Sequence, residues 1–230
     1  MLKGLLIFLI SISSFAQQQN ADEILNDTKK KLESVQDYTV DINISIDMEF
    51  LRIPNVAAKV FFKQPDKMKM DSEDFAVLPK EGINFSPAKL LNGNYTAIYV
   101  KSDTLDKFVV DVVKIIPLED SMGIVLSTLW IDSEQKIIRQ IETTTKNRGT
   151  FQIALSYDEM EKFGLPSKMD FTFSVENMEL PETLKMDVGG MKKPIGKISK
   201  NFKGNIVVTY SNYKINQGLE DSFFEKKEKK

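Results

Sequence analysis

The stretch from Tyr38 to Phe50 alternates without a break. Tyr38, Val40, Ile42, Ile44, Ile46, Met48 and Phe50 are apolar, whereas Thr39, Asp41, Asn43, Ser45, Asp47 and Glu49 are polar. A period of two residues puts every apolar side chain on one face of a strand and every polar one on the other. Such a strand needs neighbours for its backbone and a cover for its apolar face, so the chain is organised around a half-buried sheet. More strands follow at short intervals. Val56–Lys63 and Lys67–Ser72 flank a turn at Gln64-Pro65-Asp66, and Phe75–Leu78 is a shorter apolar piece. Tyr95–Lys101, Lys107–Ile116, Gly123–Ile131, Lys136–Thr145, Thr150–Tyr157, Lys168–Glu176 and Asn205–Tyr213 continue the pattern. The turns Asp132-Ser133-Glu134 and Asn147-Arg148-Gly149 join two successive hairpins. Residues 177–204 carry Gly189-Gly190 and Pro194 without a clear period and read as a long loop, with a helical turn around Pro181–Met186.

Little else is present to cover that sheet. One helix opens at Asn20, with Glu23 in capping-box position, and carries Ile24, Leu25, Thr28, Leu32 and Val35 at helical spacing. A short second helix starts at Ser86-Pro87 and stops at Asn92-Gly93. Two helices are too few for a flat sheet of this width. The expected fold is therefore mainly β (α+β): a single antiparallel sheet that curls around its own apolar face, with the helices closing the opening. A shell of this kind is either filled by its own side chains or holds a small apolar ligand. The 10 Met and 15 Phe favour a deformable interior.

Composition narrows the chemistry. The chain has no His and no Cys, which removes imidazole bases, thiol nucleophiles, His- or Cys-based zinc sites and disulfides. Lys+Arg 31 against Asp+Glu 33 leaves a net charge of −2, with none of the basic excess of a nucleic-acid binder. The acidic groups Asp71-Ser72-Glu73-Asp74 and Glu119-Asp120 lack metal-loop spacing and read as solvated turns, so neither a cofactor nor a metal is expected. At the N-terminus, Lys3 precedes an apolar run from Leu5 to Ile12, followed by Ser14 and Ala16. This is the layout of a secretory signal peptide over residues 1–16, since a membrane span needs about 20 apolar residues. No Cys follows it, so the expected product is an exported, soluble chain without a lipid anchor. Residues 17–230 are expected to form a single domain.

Several stretches, taken in order, resemble the outer-membrane lipoprotein carrier (LolA-like) family. They are Phe61-Phe62-Lys63-Gln64-Pro65-Asp66-Lys67-Met68-Lys69-Met70, then Leu129-Trp130-Ile131-Asp132 with Lys136-Ile137-Ile138-Arg139. Phe163-Gly164-Leu165-Pro166-Ser167-Lys168-Met169, Tyr210-Ser211-Asn212-Tyr213-Lys214-Ile215-Asn216 and Phe223-Phe224 complete the set. The resemblance implies an incomplete barrel closed by a helical lid, and a cavity that takes up the acyl chains of lipoproteins or related lipids. It implies a monomeric periplasmic carrier, not an enzyme, served by an inner-membrane release complex and an outer-membrane acceptor. The expected cavity residues are Ile42, Ile44, Ile46, Met48, Phe62, Met68, Met70 and Leu126, then Phe171 and Phe173. The expected lid residues are Ile24, Leu25, Leu32, Leu90 and Leu91. Ordinary core packing accounts for each of them equally well. Gln64 stands where the well-studied carriers have an Arg that helps latch the lid; its amide can bond lid carbonyls but carries no charge. The alternative is a periplasmic sensor or adaptor of the same fold that binds a protein partner or a lipid signal without transport.

Overall fold

The computed structural model describes residues 21–48, 51–52, 54–72, 87–119, 123–146, 149–175 and 202–225. Asn20, the signal-like segment, the piece Phe75–Leu78, the turn Asn147-Arg148 and the stretch 176–201 lie outside the described residues. Residues 21–33 form helix α1. Ala21, Ile24, Leu25 and Thr28 are buried along one side of it, and Val35 is buried just past its end. Thr28 joins this apolar stripe because its hydroxyl donates back to the Ile24 carbonyl at 2.9 Å, which satisfies its polar atom within the helix.

Strand β1 (Asp37–Met48) follows at once, then β2 (Leu51–Arg52), β3 (Val56–Lys63) and β4 (Lys67–Asp71). Helix α2 (Pro87–Asn92) precedes β5 (Tyr95–Leu105), β6 (Phe108–Pro117), β7 (Ile124–Asp132), β8 (Ile138–Thr145) and β9 (Gly149–Ser156). The last strands are β10 (Lys168–Val175) and β11 (Phe202–Ile215), with single 3-10 turns at Glu161–Phe163 and Asp221–Phe224. Nearly every strand sits where the alternation placed it. Strand β5 runs on to Leu105 through the polar residues Ser102, Asp103 and Thr104, and a tight turn at Asp106-Lys107 returns it. Asp106 takes φ 53°, a conformation that Asp tolerates better than most residues.

The eleven strands among the described residues belong to one antiparallel sheet, in the order β4-β3-β1-β11-β10-β9-β8-β7-β6-β5, with β2 on a side branch against β1. Among the described residues the path does not close, so β4 and β5 are its edges. Ten strands laid flat would span about 45 Å, while two helices of about 10 Å diameter cover less than half of that. Yet Val56 on β3, Ile44 on β1, Ile115 on β6 and the helix residues Leu25 and Leu91 share a single core cluster. The sheet therefore curls, and its covered face is the inner one. The connection from β4 to β5 joins the two edges, and α2, its described part, buries Leu90 and Leu91 in this core.

A buried ion pair ties one end of the sheet. Arg139 on β8 donates to one carboxylate oxygen of Asp132 through Nε at 3.1 Å and Nη2 at 2.8 Å, and also to Glu161. Its guanidinium lies 3.6 Å above the centre of the Phe108 ring. Burial alone would raise the Asp132 pKa, but the N–H groups of Gln135 and Glu134 and the Arg139 guanidinium outweigh it and hold the carboxyl below its usual range. The ionised carboxylate thus contributes stability in full above about pH 4, and that contribution is lost as pH falls through the lowered native value.

Two predictions test this frame. Arg139→Met strands two carboxylates and should lower unfolding stability by on the order of 3 kcal/mol; in Asp132→Asn, the urea midpoint should fall less steeply than in the parent below about pH 4. At Gly204 on β11, an added Cβ would lie 2.5 Å from Cζ of Phe173. Gly204→Ala should therefore cost about 1–3 kcal/mol, and combining it with Phe173→Leu should recover part of the loss in the same urea assay.

Candidate functional site

The register lines up the inner face into rows that cross the strands. One row runs Ile46 (β1), Ile206 (β11), Phe171 (β10), Ile153 (β9), Ile141 (β8), Leu129 (β7), Val113 (β6) and Tyr99 (β5), each opposite the next. Every member is apolar or aromatic, and Ile141, Leu129 and Val113 are completely buried. The neighbouring row passes through Gly204, Phe173, Phe151, Thr143, Ser127, Ile115 and Ala97. Its two polar members, Ser127 and Thr143, meet at 2.9 Å and are both fully buried. A pair of hydroxyls bonded to each other interrupts the oily surface at low cost.

Two helices cover these rows. Ile24 and Leu25 of α1, with Leu90 and Leu91 of α2, are 6%, 1%, 3% and 2% exposed and belong to the same cluster as Ile42, Ile44 and Ile46. Leu32 packs against that cluster while half-buried. At the C-terminal end of α1 the last carbonyls have no intrahelical donor. Gln64 supplies one: its side-chain amide donates to the carbonyls of Leu32 and Val35, each at 3.2 Å, while its backbone N–H donates to Gln36 at 2.8 Å. The β3–β4 turn thus grips the end of α1 through neutral hydrogen bonds.

The other expected cavity residues divide. Phe62 stacks on Tyr38 with ring centres 5.0 Å apart, and Met70 packs half-buried against the core. Phe171 and Phe173 lie on the inner face with ring centres 5.6 Å apart. Met68, opposite Phe62 on the edge strand β4, is 40% exposed. The side chain of Met48 lies outside the described residues.

Leu126 departs from the expectation and sits on the opposite face. A bulge at Val125 shifts the register between Ile124 and Leu126, so the inner positions of β7 become Ile124, Ser127, Leu129 and Ile131. The same bulge turns Trp130 outward. Leu129 and Ile131, missed from the sequence, take the inner places opposite Ile141 and Ile138, the two apolar residues of the otherwise polar strand β8.

Four tyrosines that are not among the expected cavity residues also line this region. Tyr38, Tyr157, Tyr210 and Tyr213 all pack against the core. Burial pushes the Tyr38 phenol up to about 12 and the other three in the same direction. They are neutral at physiological pH. Tyr157 donates to the Ile138 carbonyl at 2.8 Å and Tyr213 to that of Pro166 at 2.9 Å, so these two hydroxyls serve the framework. Among the described residues no three acidic side chains are grouped to hold a metal ion, and no helix is long and apolar enough to cross a membrane. What this face can do chemically is bury hydrocarbon.

No family model matches the sequence, and no curated protein sequence matches it. Solved structures do resemble it. A putative outer membrane lipoprotein-sorting protein domain from Vibrio parahaemolyticus aligns over 90% of this chain and 97% of its own, with a TM-score of 0.61 at 10% identity. A LolA superfamily protein from Nitrosomonas europaea aligns over 90% and 97%, with a TM-score of 0.56 at 12% identity. A DUF1329 family protein from Desulfovibrio piger aligns over 89% and 97%, with a TM-score of 0.59 at 11% identity. An unclosed antiparallel sheet with helices over its inner face, matched along nine-tenths of its length by such structures, has the LolA-like fold.

Proposed function

We propose that this chain is a non-enzymatic carrier of the periplasm. It binds the acyl chains of lipoproteins, or of related lipids, between the inner face of its sheet and helices α1 and α2, and ferries them towards the outer membrane. One observation carries this reading. Among the described residues, the apolar row from Ile46 to Tyr99 is covered by two helices and not by a second sheet, and α1 is held at its C-terminal end by the uncharged amide of Gln64. A cover of that kind separates from the sheet more readily than a strand hydrogen-bonded along its whole length. The likeness to a lipoprotein-sorting domain supports the cargo class, and the signal-like segment at residues 1–16 supports export.

The energetics suit a shuttle. Burying hydrocarbon is favourable by about 0.8 kcal/mol per CH₂, so a C16 chain offers on the order of 10 kcal/mol before the costs of ordering it and of moving the helices. Those costs leave an affinity that a second apolar acceptor can overcome, which a carrier requires. Ile42, Ile44, Ile46, Phe171 and Phe173, with Leu129 in place of Leu126, are the assigned contacts on the sheet. Ile24, Leu25, Leu32, Leu90 and Leu91 are the assigned contacts on the cover.

Displacement of a fluorescent acyl probe by saturated acyl chains of increasing length tests this. Saturable binding at one site should tighten by about tenfold for every two methylenes added, up to the length the site accepts. Ile46→Ser, at the end of the row, should weaken it by about tenfold with the fold intact by circular dichroism. Binding that is absent, or indifferent to chain length, overturns the proposal.

A further inference from the structure

The chain that leaves β11 folds back over the outer side of β3 and β4. Asp37, at the start of β1 and 4% exposed, draws it in: its carboxylate accepts the N–H groups of Gln217 at 2.7 Å, Gly218 at 2.9 Å and Leu219 at 3.4 Å. Further along, Phe223 packs on Phe61 with ring centres 4.7 Å apart, and Lys69 lies 4.1 Å over the Phe223 ring. Between these two anchors stands Asp221. One carboxylate oxygen is 2.6 Å from the Lys63 ammonium and the other 2.8 Å from that of Lys67.

Lys63 and Lys67 face each other directly in the β3–β4 ladder and close the turn that carries Gln64. Two like charges in that position repel and spread the hairpin end. A carboxylate set between them reverses the sign of the interaction. The turn so closed is the one whose Gln64 amide holds the Leu32 and Val35 carbonyls of α1. We infer that Asp221 is a positioning residue for the α1 cover: by bridging Lys63 and Lys67, the C-terminal strap keeps Gln64 where it caps the helix, so release of the strap loosens the cover. Any partner that drew the strap away would thereby ease exchange beneath α1. The inference rests on the proposed role of α1 as a displaceable cover, and not on what that cover hides.

Because the chain contains no cysteine, single introduced thiols report opening without interference. In full-length Leu25→Cys the thiol sits under α1; in full-length Val110→Cys it is buried outside the core cluster beneath the helices and reports opening of the sheet itself. Gln64→Ala should speed labelling at position 25 by about tenfold. Asp221→Asn with Phe223→Ala should speed it by about threefold, and adding these to Gln64→Ala should give no further gain, since strap and latch act in series. Raising ionic strength from about 0.05 M to about 0.5 M should speed the parent and leave Asp221→Asn nearly unchanged. Labelling at position 110 should not move. The inference is overturned by additive effects of strap and latch, by strap variants that leave position 25 unchanged, or by equal acceleration at position 110. Should acyl binding fail while these labelling results hold, the carrier reading falls and the coupling stands.

Discussion

A ten-strand path of antiparallel sheet with one apolar face has a single physical problem, which is how to keep water off that face. The register sets the terms. Because Ile46, Ile206, Phe171, Ile153, Ile141, Leu129, Val113 and Tyr99 fall in line across the strands, the apolar surface is continuous from β1 to β5. A slip of one residue in any strand would turn its whole inner set to solvent. Register and cover are thus a single constraint. It is met by curling the sheet and laying α1 and α2 across what remains, and the chain order helps: the link between edge strands β4 and β5 carries α2 to the inner face.

The polar contacts lie around the rim of this arrangement. Gln64 caps α1, Asp37 gathers the backbone of the C-terminal strap, and Arg139 joins Asp132 to Glu161 at the same end of the sheet. Each satisfies groups that burial would otherwise strand. Inside the rim, only the bonded pair Ser127 and Thr143 interrupts the two central rows. The directional interactions fix where the cover meets the sheet, while the contact between them is apolar and has no preferred partner.

Alternation made much of this legible. Tyr38 to Phe50 declares β1, and the stripe of Ile24, Leu25, Thr28, Leu32 and Val35 declares the buried side of α1. The sequence misleads where local geometry breaks the period. The bulge at Val125 turns Leu126 outward, and nothing in Ile124-Val125-Leu126-Ser127 marks which residue is the extra one. The far half of β5 is a strand because β6 pairs with it, although Ser102-Asp103-Thr104 shows no apolar period. Long-range polar contacts were invisible for a different reason: Asp37 meets Gln217 across 180 positions of sequence, and neither residue signals the other. Gln64 could be singled out only through the resemblance. Its partners Leu32 and Val35 offer backbone carbonyls, which leave no mark in a sequence.

The nature of the cover also bears on how the proposed uptake proceeds. Were α1 to leave the sheet altogether, Ile24 and Leu25 would be exposed to water along with the inner face, and a guest chain would repair only one of the two surfaces. A guest that slides between them keeps both covered and adds its own buried area. The favourable path is therefore a lift by about the thickness of a hydrocarbon chain, with the helix pivoting where it is gripped. That grip lies at its C-terminal end, where Gln64 holds Leu32 and Val35 and where β1 begins two residues later, so the N-terminal turn bearing Ile24 and Leu25 travels furthest. A guanidinium at position 64 would bind the same carbonyls with charge-assisted bonds of roughly twice the strength. A neutral amide makes a looser pivot, which suits the proposed uptake and release of a guest chain.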